Sequence, residues 1–176
     1  MAATTFEDLL DGCRAVAAHL EMRDAYSPHD PIYLDWKAGR KVDPIDHERE
    51  WYDLAVRTVA RGVAIRRARI VSEPISDWIR HELETTPKLN LRAGEQVRWL
   101  PRRQASDLAL PGNDFWLFDG KIVRFGFFSG DGNYVGDEVV EDPDTVSRCC
   151  SAFEAVWERG IDHRDYDPDR HHRYKV

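Results

Sequence analysis

Val63-Ala64-Ile65-Arg66-Arg67-Ala68-Arg69-Ile70-Val71-Ser72-Glu73-Pro74 runs straight into Ile75-Ser76-Asp77-Trp78-Ile79-Arg80, and how this run is read decides the fold. Its first half is β-branched and apolar, with a period of two. Val63, Ile65, Arg67, Arg69 and Val71 share one face of a strand; Ala64, Arg66, Ala68 and Ile70 share the other. Its second half places Ile75, Trp78, Ile79 and Leu83 on one side of a helix and Asp77, Arg80 and Glu84 on the other, with Pro74 suited to the first turn. Two guanidinium groups on an apolar strand face are costly to bury alone. Arg67 and Arg69 must therefore reach solvent, a carboxylate or an anionic ligand.

Downstream, Gly94–Pro101 reads as a second strand, so strand, helix and strand make a parallel βαβ pair. Leu108–Asn113 is a loop. Phe115-Trp116-Leu117-Phe118 and Ile122-Val123-Arg124-Phe125 flank Asp119-Gly120, a strong hairpin signal. After the Gly130–Asn133 turn, Tyr134–Val140 returns as a third antiparallel strand. Asp142 caps a last helix with Pro143 at its first position; Val146, Cys149 or Cys150, Phe153, Val156 and Trp157 form its apolar face, and Gly160 ends it.

Upstream, Thr5 and Asp8 mark a helix start. Phe6, Leu9, Leu10, Cys13, Val16, Ala17 and Leu20 then recur at helical spacing, which predicts one helix fading near Met22-Arg23-Asp24, with Cys13 a small buried hydrophobe. Tyr26–Pro31 is a turn-rich break, and Tyr33, Leu34 and Trp36 belong to an irregular arm. A helix opened by Asp43-Pro44 or Asp46 buries Trp51, Leu54, Ala55 and Val59 and ends before Gly62. The expected organisation is a single α/β domain over residues 1–166, its N-terminal part (about 5–61) helical, with a polar tail at 167–176. Its fold class is a mixed sheet with a βαβ unit and an antiparallel meander, helices packed on it.

Composition excludes several classes. Of 176 residues 42% are hydrophobic and 32% charged, a globular balance. Lys+Arg of 25 against Asp+Glu of 32 gives a net charge of -7, which disfavours direct nucleic-acid binding. No stretch is apolar enough to span a membrane, and the N-terminal residues lack the features of a secretory signal. Three cysteines, two of them adjacent, suit reduced thiols and a cytoplasmic location.

None of the seven histidines is followed two residues later by lysine, so the phosphodiesterase motif His-x-Lys-x-x-x-x-Asp is absent. Also absent are His-Glu-x-x-His, Cys-x-x-Cys, a Walker loop and Gly-x-Gly-x-x-Gly. Gly126-Phe-Phe-Ser129-Gly130 has one residue too many to be a nucleophile elbow. No catalytic residue, cofactor or metal ligand set emerges. The tail from Asp162 to His172 is either a metal-chelating run or a solvated end. The remaining constellation is basic and aromatic. Arg67, Arg69, Arg98, Arg102 and Arg103 suit a carboxylate or phosphate, and Trp78, Trp99 and Trp116 suit a ring. The competing account pairs these arginines with Glu73, Asp77, Asp107 or Asp114 and gives the tryptophans to the core.

Five motifs in order, His19-Leu-Glu-Met-Arg-Asp-Ala-Tyr26, Arg66–Pro74, Ala93–Pro101, Leu110–Asp119 and Ala152–Trp157, resemble an uncharacterised actinobacterial family known only as a domain of unknown function. That resemblance implies an accessory role beside helix-turn-helix regulators and supplies no catalytic residues. More distantly, Gly-x-x-Val-Arg, the aromatic Asp-Gly hairpin and Phe-x-x-x-Trp look like one phospholipase-D-like repeat that is catalytically dead. Gly112 and Asp114 stand where that fold's histidine and lysine would be.

The expected function is a non-enzymatic regulatory or ligand-sensing module, accessory to a helix-turn-helix regulator and binding an anionic small molecule. Arg67, Arg69 and Arg98 hold the anion, Glu73 lies beside them, Asn113 and Asp114 orient the ligand, and Trp78 or Trp116 stacks on it. Alanine at Arg67 and Arg69 is then expected to abolish binding and leave the fold. The rivals are an enzyme using Glu73 and Asp114 as acid and base, for which a strongly perturbed pKa at either would speak; a nucleic-acid binder using Arg66, Arg102, Arg103 and Arg164; and a protein partner at an apolar patch around Tyr33 and Trp36.

Overall fold

A computed structural model describes residues 4–170. Thr5 caps the first helix, α1 (Phe6–Gly12), its hydroxyl accepting the Asp8 N–H while the Asp8 carboxylate accepts the Thr5 N–H. The helix stops at Gly12 and the chain re-enters as strand β1 (Val16–Glu21). This corrects the expectation of one helix reaching Met22. β1 is covered on both faces, with Ala17, Ala18 and Leu20 all buried, so its apolar residues run together instead of alternating.

The arm is also more regular than expected. Asp30 accepts the Tyr33 N–H and caps α2 (Pro31–Lys37), where Pro31 takes the first helical position instead of breaking the chain. A short α3 (Pro44–His47) precedes α4 (Arg49–Ala60), which buries Leu54, Ala55 and Thr58. The opening run forms β2 (Ala64–Val71). α5 (Asp77–Thr85) is capped by Ser76, so Pro74 lies upstream of the helix and not in its first turn. α6 (Asn90–Ala93) leads to β3 (Gln96–Pro101) and a 3-10 turn at Arg102–Ala105. The meander is β4 (Phe115–Phe118), β5 (Ile122–Phe128) and β6 (Tyr134–Val140). Asp119 and Gly120 both hold positive φ at the β4–β5 turn, as the central pair of a type I′ turn requires, and Lys121 completes the connection before Ile122 pairs with Phe118. α7 (Pro143–Arg159) follows its Asp142 cap, and β7 (Ile161–Asp162), absent from the sequence reading, pairs with β3.

The strands make one mixed seven-stranded sheet in the order β6-β5-β4-β1-β2-β3-β7. β1–β2 and β2–β3 are parallel, and the remaining pairs are antiparallel. β1, placed by the sequence in a helical N-terminal part, stands at the centre and joins the βαβ unit to the meander.

One sheet face is packed by α7. Val146, Cys149, Phe153, Val156 and Trp157 close on Leu20, Ala68, Ile70, Leu100, Phe115 and Val123. The other face is covered piecewise. α1 and α4 seal Ala17, Val63 and Phe118, while Ile79 of α5 and Tyr166 seal Val71, Val97 and Trp99. Between these two apolar clusters the sheet carries charge.

Candidate functional site

Register builds the charged strip. His19 and Glu21 of β1 lie beside Arg67 and Arg69 of the parallel β2, and Trp116 of β4 lies on the other side of His19. Period two then sends all five side chains to the face left open between α1, α4 and α5.

The two arginines are held by carboxylates. Arg67 donates from Nε to Glu95 (2.9 Å) and from Nη1 to Glu21 (2.6 Å). Arg69 donates from Nε to the second Glu21 oxygen (2.5 Å) and from Nη1 to the Thr86 hydroxyl (2.7 Å), with Nη2 3.4 Å from Glu82. Glu95, fully enclosed, also accepts from Trp51 Nε1 (3.0 Å) and Asn90 Nδ2 (2.7 Å). The Arg67 guanidinium stands over the Trp51 and Trp116 rings at 5.6 and 5.4 Å. So Arg67 and Arg69 do pair, but with Glu21, Glu82 and Glu95; of the carboxylates expected to pair with the arginine group, Glu73 stands 4.0 Å from Arg103, and among the described residues Asp77, Asp107 and Asp114 make no ion pair with Arg67 or Arg69. Buried pairs of this kind cannot lose one member cheaply. Alanine at Arg67 and Arg69 therefore threatens the fold, contrary to the expectation from sequence.

Ionisation follows from these contacts. Burial opposes charge on Glu21, yet Arg69 and Arg67 outweigh it and hold the carboxyl far below the usual range. Burial, helped by Arg67 and Arg69 against Glu21, lowers His19 to about 3. The ring is neutral, Nδ1 accepts from Arg67 Nη1 (2.9 Å), and Nε2 therefore carries the proton. Its ring stacks on Trp116, centroids 4.3 Å apart. Burial lifts Glu82 to about 7 against the pull of Arg69, with Glu21 adding to the rise.

Above this strip opens a cavity of about 410 Å³, lined among others by Arg67, Arg69, Trp78, His81, Glu82 and Trp116. A second, of about 470 Å³, shares His19, Glu21, Trp116 and Arg124 with it and reaches Tyr26, Asp114 and Phe128. In the second cavity Asp114 accepts the Met22 N–H (2.8 Å) and the Tyr26 hydroxyl. Burial raises Asp114 to about 6, and the Tyr26 bond opposes the rise.

Of the residues expected to act together, Arg67, Arg69, Trp78 and Trp116 line one cavity, and Asp114 lines its neighbour. The other three do not join them. Arg98 lies on the opposite sheet face, stacked over Trp157 and donating to the Trp157 carbonyl (2.7 Å). Glu73 accepts from the Tyr166 hydroxyl (2.9 Å), and Asn113 is exposed in its loop. Sequence reasoning missed His19, Glu21, Glu82, Glu95 and Arg124. His19 and Glu21 were hidden by the helical reading of β1, although Gly12 signalled a break before them.

The rival surfaces are partnered. Arg66, Arg102, Arg103 and Arg164 lie within ion-pair distance of Glu154, Asp24, Glu73 and Asp162. Tyr33 and Trp36 pack on Trp78 and His81 of α5, not as an open apolar patch. Among the described residues no three His, Cys, Asp or Glu side chains are grouped to hold a metal ion; His171 and His172 lie outside the described residues. No described helix is long and apolar enough to cross a membrane.

Comparison with known proteins gives a family and a distant likeness. The family described as domain of unknown function (DUF6879) matches residues 4–168. Among solved structures, the crystal structure of a phospholipase D family member, Nuc from Salmonella typhimurium, is similar at 12% identity, covering 89% of this chain and 86% of that one, with a TM-score of 0.48. No curated protein matches.

Proposed function

This chain belongs to the DUF6879 family, and we propose that it is a non-enzymatic ligand-sensing module whose cavity over β1 and β2 takes a small molecule bearing an anionic group. The observation that carries this is the charged strip itself. Where the middle of a sheet face ordinarily meets hydrocarbon, this one presents Arg67, Glu21, Arg69 and His19 beneath a cavity of about 410 Å³, within the range of small-molecule sites.

Donors for an anion remain after the internal pairs are made. Among the described residues Arg67 makes no hydrogen bond from Nη2, and the protonated Nε2 of His19 makes none either. Arg124, which pairs with Asp137 (2.6 Å), lines the same cavity. The carboxylates thus fix the guanidinium groups in place, and their spare edges meet the ligand. The regulator partnership rests on the family resemblance, and exposed Tyr134, Val135 and Val139 on edge strand β6 give such a partner a place to pair.

Native mass spectrometry of the protein purified from its own host, against its denatured mass, tests the ligand reading. A retained small anion or nucleotide is expected; a bare chain mass together with no thermal stabilisation by a panel of carboxylates and phosphates would refute it. Co-purification with any helix-turn-helix regulator encoded beside this chain tests the partnership, and separate elution of the two would dismiss it.

One observation favours a second reading, an enzyme using carboxylates. Asp114 is raised to about 6 beside Tyr26 in the adjoining cavity. Glu73, the other carboxylate nominated from the sequence, does not line that cavity. Turnover of any ester or phosphodiester that Asp114→Asn abolishes would decide for it.

A further inference from the structure

Beside the arginines the cavity wall is built by α5, and three of its buried polar atoms make no hydrogen bond of normal geometry. Trp78, His81 and Glu82 stand three and four residues apart on one face of the helix, and all three line the cavity. His81 is only 6% exposed, yet its Nδ1 makes no hydrogen bond. Glu82 Oε2 and Trp78 Nε1 are likewise buried without a hydrogen bond of normal geometry, although the Trp78 indole is close enough to Glu82 to favour its carboxylate. Three such atoms on one wall are unusual, since buried polar groups are nearly always satisfied. Two are suited to accept and one to donate.

The charge around them is mixed, with carboxylates on the side away from Arg67 and Arg124 left to meet a ligand. Arg69, the nearest cation, already serves Glu21 and Thr86 and stands 3.4 Å from Glu82. Asp30 and Glu48 line the same cavity from α2 and α4 approaches. The rings of Tyr33 and Trp36 pack around Trp78 and His81, centroids 4.7 Å apart for Tyr33–Trp78 and 5.5 Å for Trp36–His81. Carboxylate, aromatic faces and a neutral imidazole acceptor are what an organic cation needs.

We infer that the α5 wall binds a protonated nitrogen, with Glu82 Oε2 and His81 Nδ1 accepting from it and Trp78 Nε1 donating to an oxygen carried beside it. This rests on the reading of the β1–β2 side as an anion site, and together the two walls specify a zwitterion: an amino acid, a short peptide end or a close analogue.

The experiment is calorimetric titration of the intact protein with L-tryptophan, L-tyrosine and L-arginine, each against its N-acetyl form. Amine-bearing probes are expected to bind about tenfold or more tightly than their acetylated partners, the scale of a charge-assisted hydrogen bond. Glu82→Gln, checked for folding by circular dichroism, is expected to erase that difference while leaving the acetylated probes unchanged. Acetylated probes that bind as well as the free amines to the wild-type protein overturn the inference and leave the anion reading standing. A preference that survives Glu82→Gln also overturns it. Failure of every probe at millimolar concentration overturns both.

Discussion

Arg67 is the residue through which most of the strip is connected, since it joins Glu95, Glu21, His19, Trp51 and Trp116. Removing it leaves Glu95 buried with a charge that Trp51 and Asn90 alone must hold. Arg67→Ala is expected to destabilise the protein by about 3–5 kcal/mol, measured by urea denaturation. A loss well under 1 kcal/mol would mean that water replaces the guanidinium freely. Titration adds a second expectation. Asp114 rises from 3.8 to about 6 on folding, so its contribution is complete below 3.8 and is lost as pH climbs through 6. His19 falls from 6.5 to about 3, so its contribution is complete above 6.5 and is lost as pH drops through 3. Asp114→Asn removes only the first. Between about pH 4 and 6 the variant is expected to gain stability over the wild type, by about 3 kcal/mol across the window. A difference that stays flat with pH would show that Asp114 titrates normally.

At the scale of elements, Asp119 does more than turn a hairpin. Its carboxylate accepts the N–H groups of Arg14 (2.7 Å), Ala15 (2.8 Å) and Val16 (3.0 Å) and the Cys13 thiol. It thereby fixes where α1 ends and β1 begins. Asp119→Asn keeps a side chain that tolerates positive φ but turns one acceptor into a donor facing an N–H. The expected cost is about 1.5–3 kcal/mol, and a neutral result would show that strand pairing alone sets the β1 register. Gly160, between α7 and β7, has no room for a side chain: a Cβ there would lie 2.9 Å from Arg98 Cβ and 3.2 Å from the Val156 carbonyl. Gly160→Ala is expected to lower the urea midpoint by the equivalent of about 1–3 kcal/mol, while an unchanged midpoint would mean that β7 shifts without penalty. The Asp119-Gly120 turn, β2, β3 and α7 are legible in the sequence, because turn residues, caps and one-sided periodicity lie within a few residues of each other. β1 is not, because burial on both faces removes its alternation.

For the whole molecule, the sheet order predicts a gradient of opening. Amides of β1 and β2, central in the sheet and with most of their side chains buried, are expected to exchange slowest with solvent. Those of edge strand β6, with Tyr134 and Val135 exposed, are expected to exchange fastest. Exchange in β6 as slow as in β1 would mean that this edge is paired in solution. The sequence by itself determined the mixed sheet, the parallel βαβ unit, the meander and the demand that Arg67 and Arg69 reach solvent, a carboxylate or an anionic ligand, since each follows from neighbouring residues and the cost of burying charge. Only the tertiary structure decided which partners those are. Glu21 precedes Arg69 by 48 residues and Glu95 follows Arg67 by 28. No local pattern links them; the register of β1 against β2 and the approach of the α6–β3 turn do, and both come from closing one sheet over two separate apolar clusters.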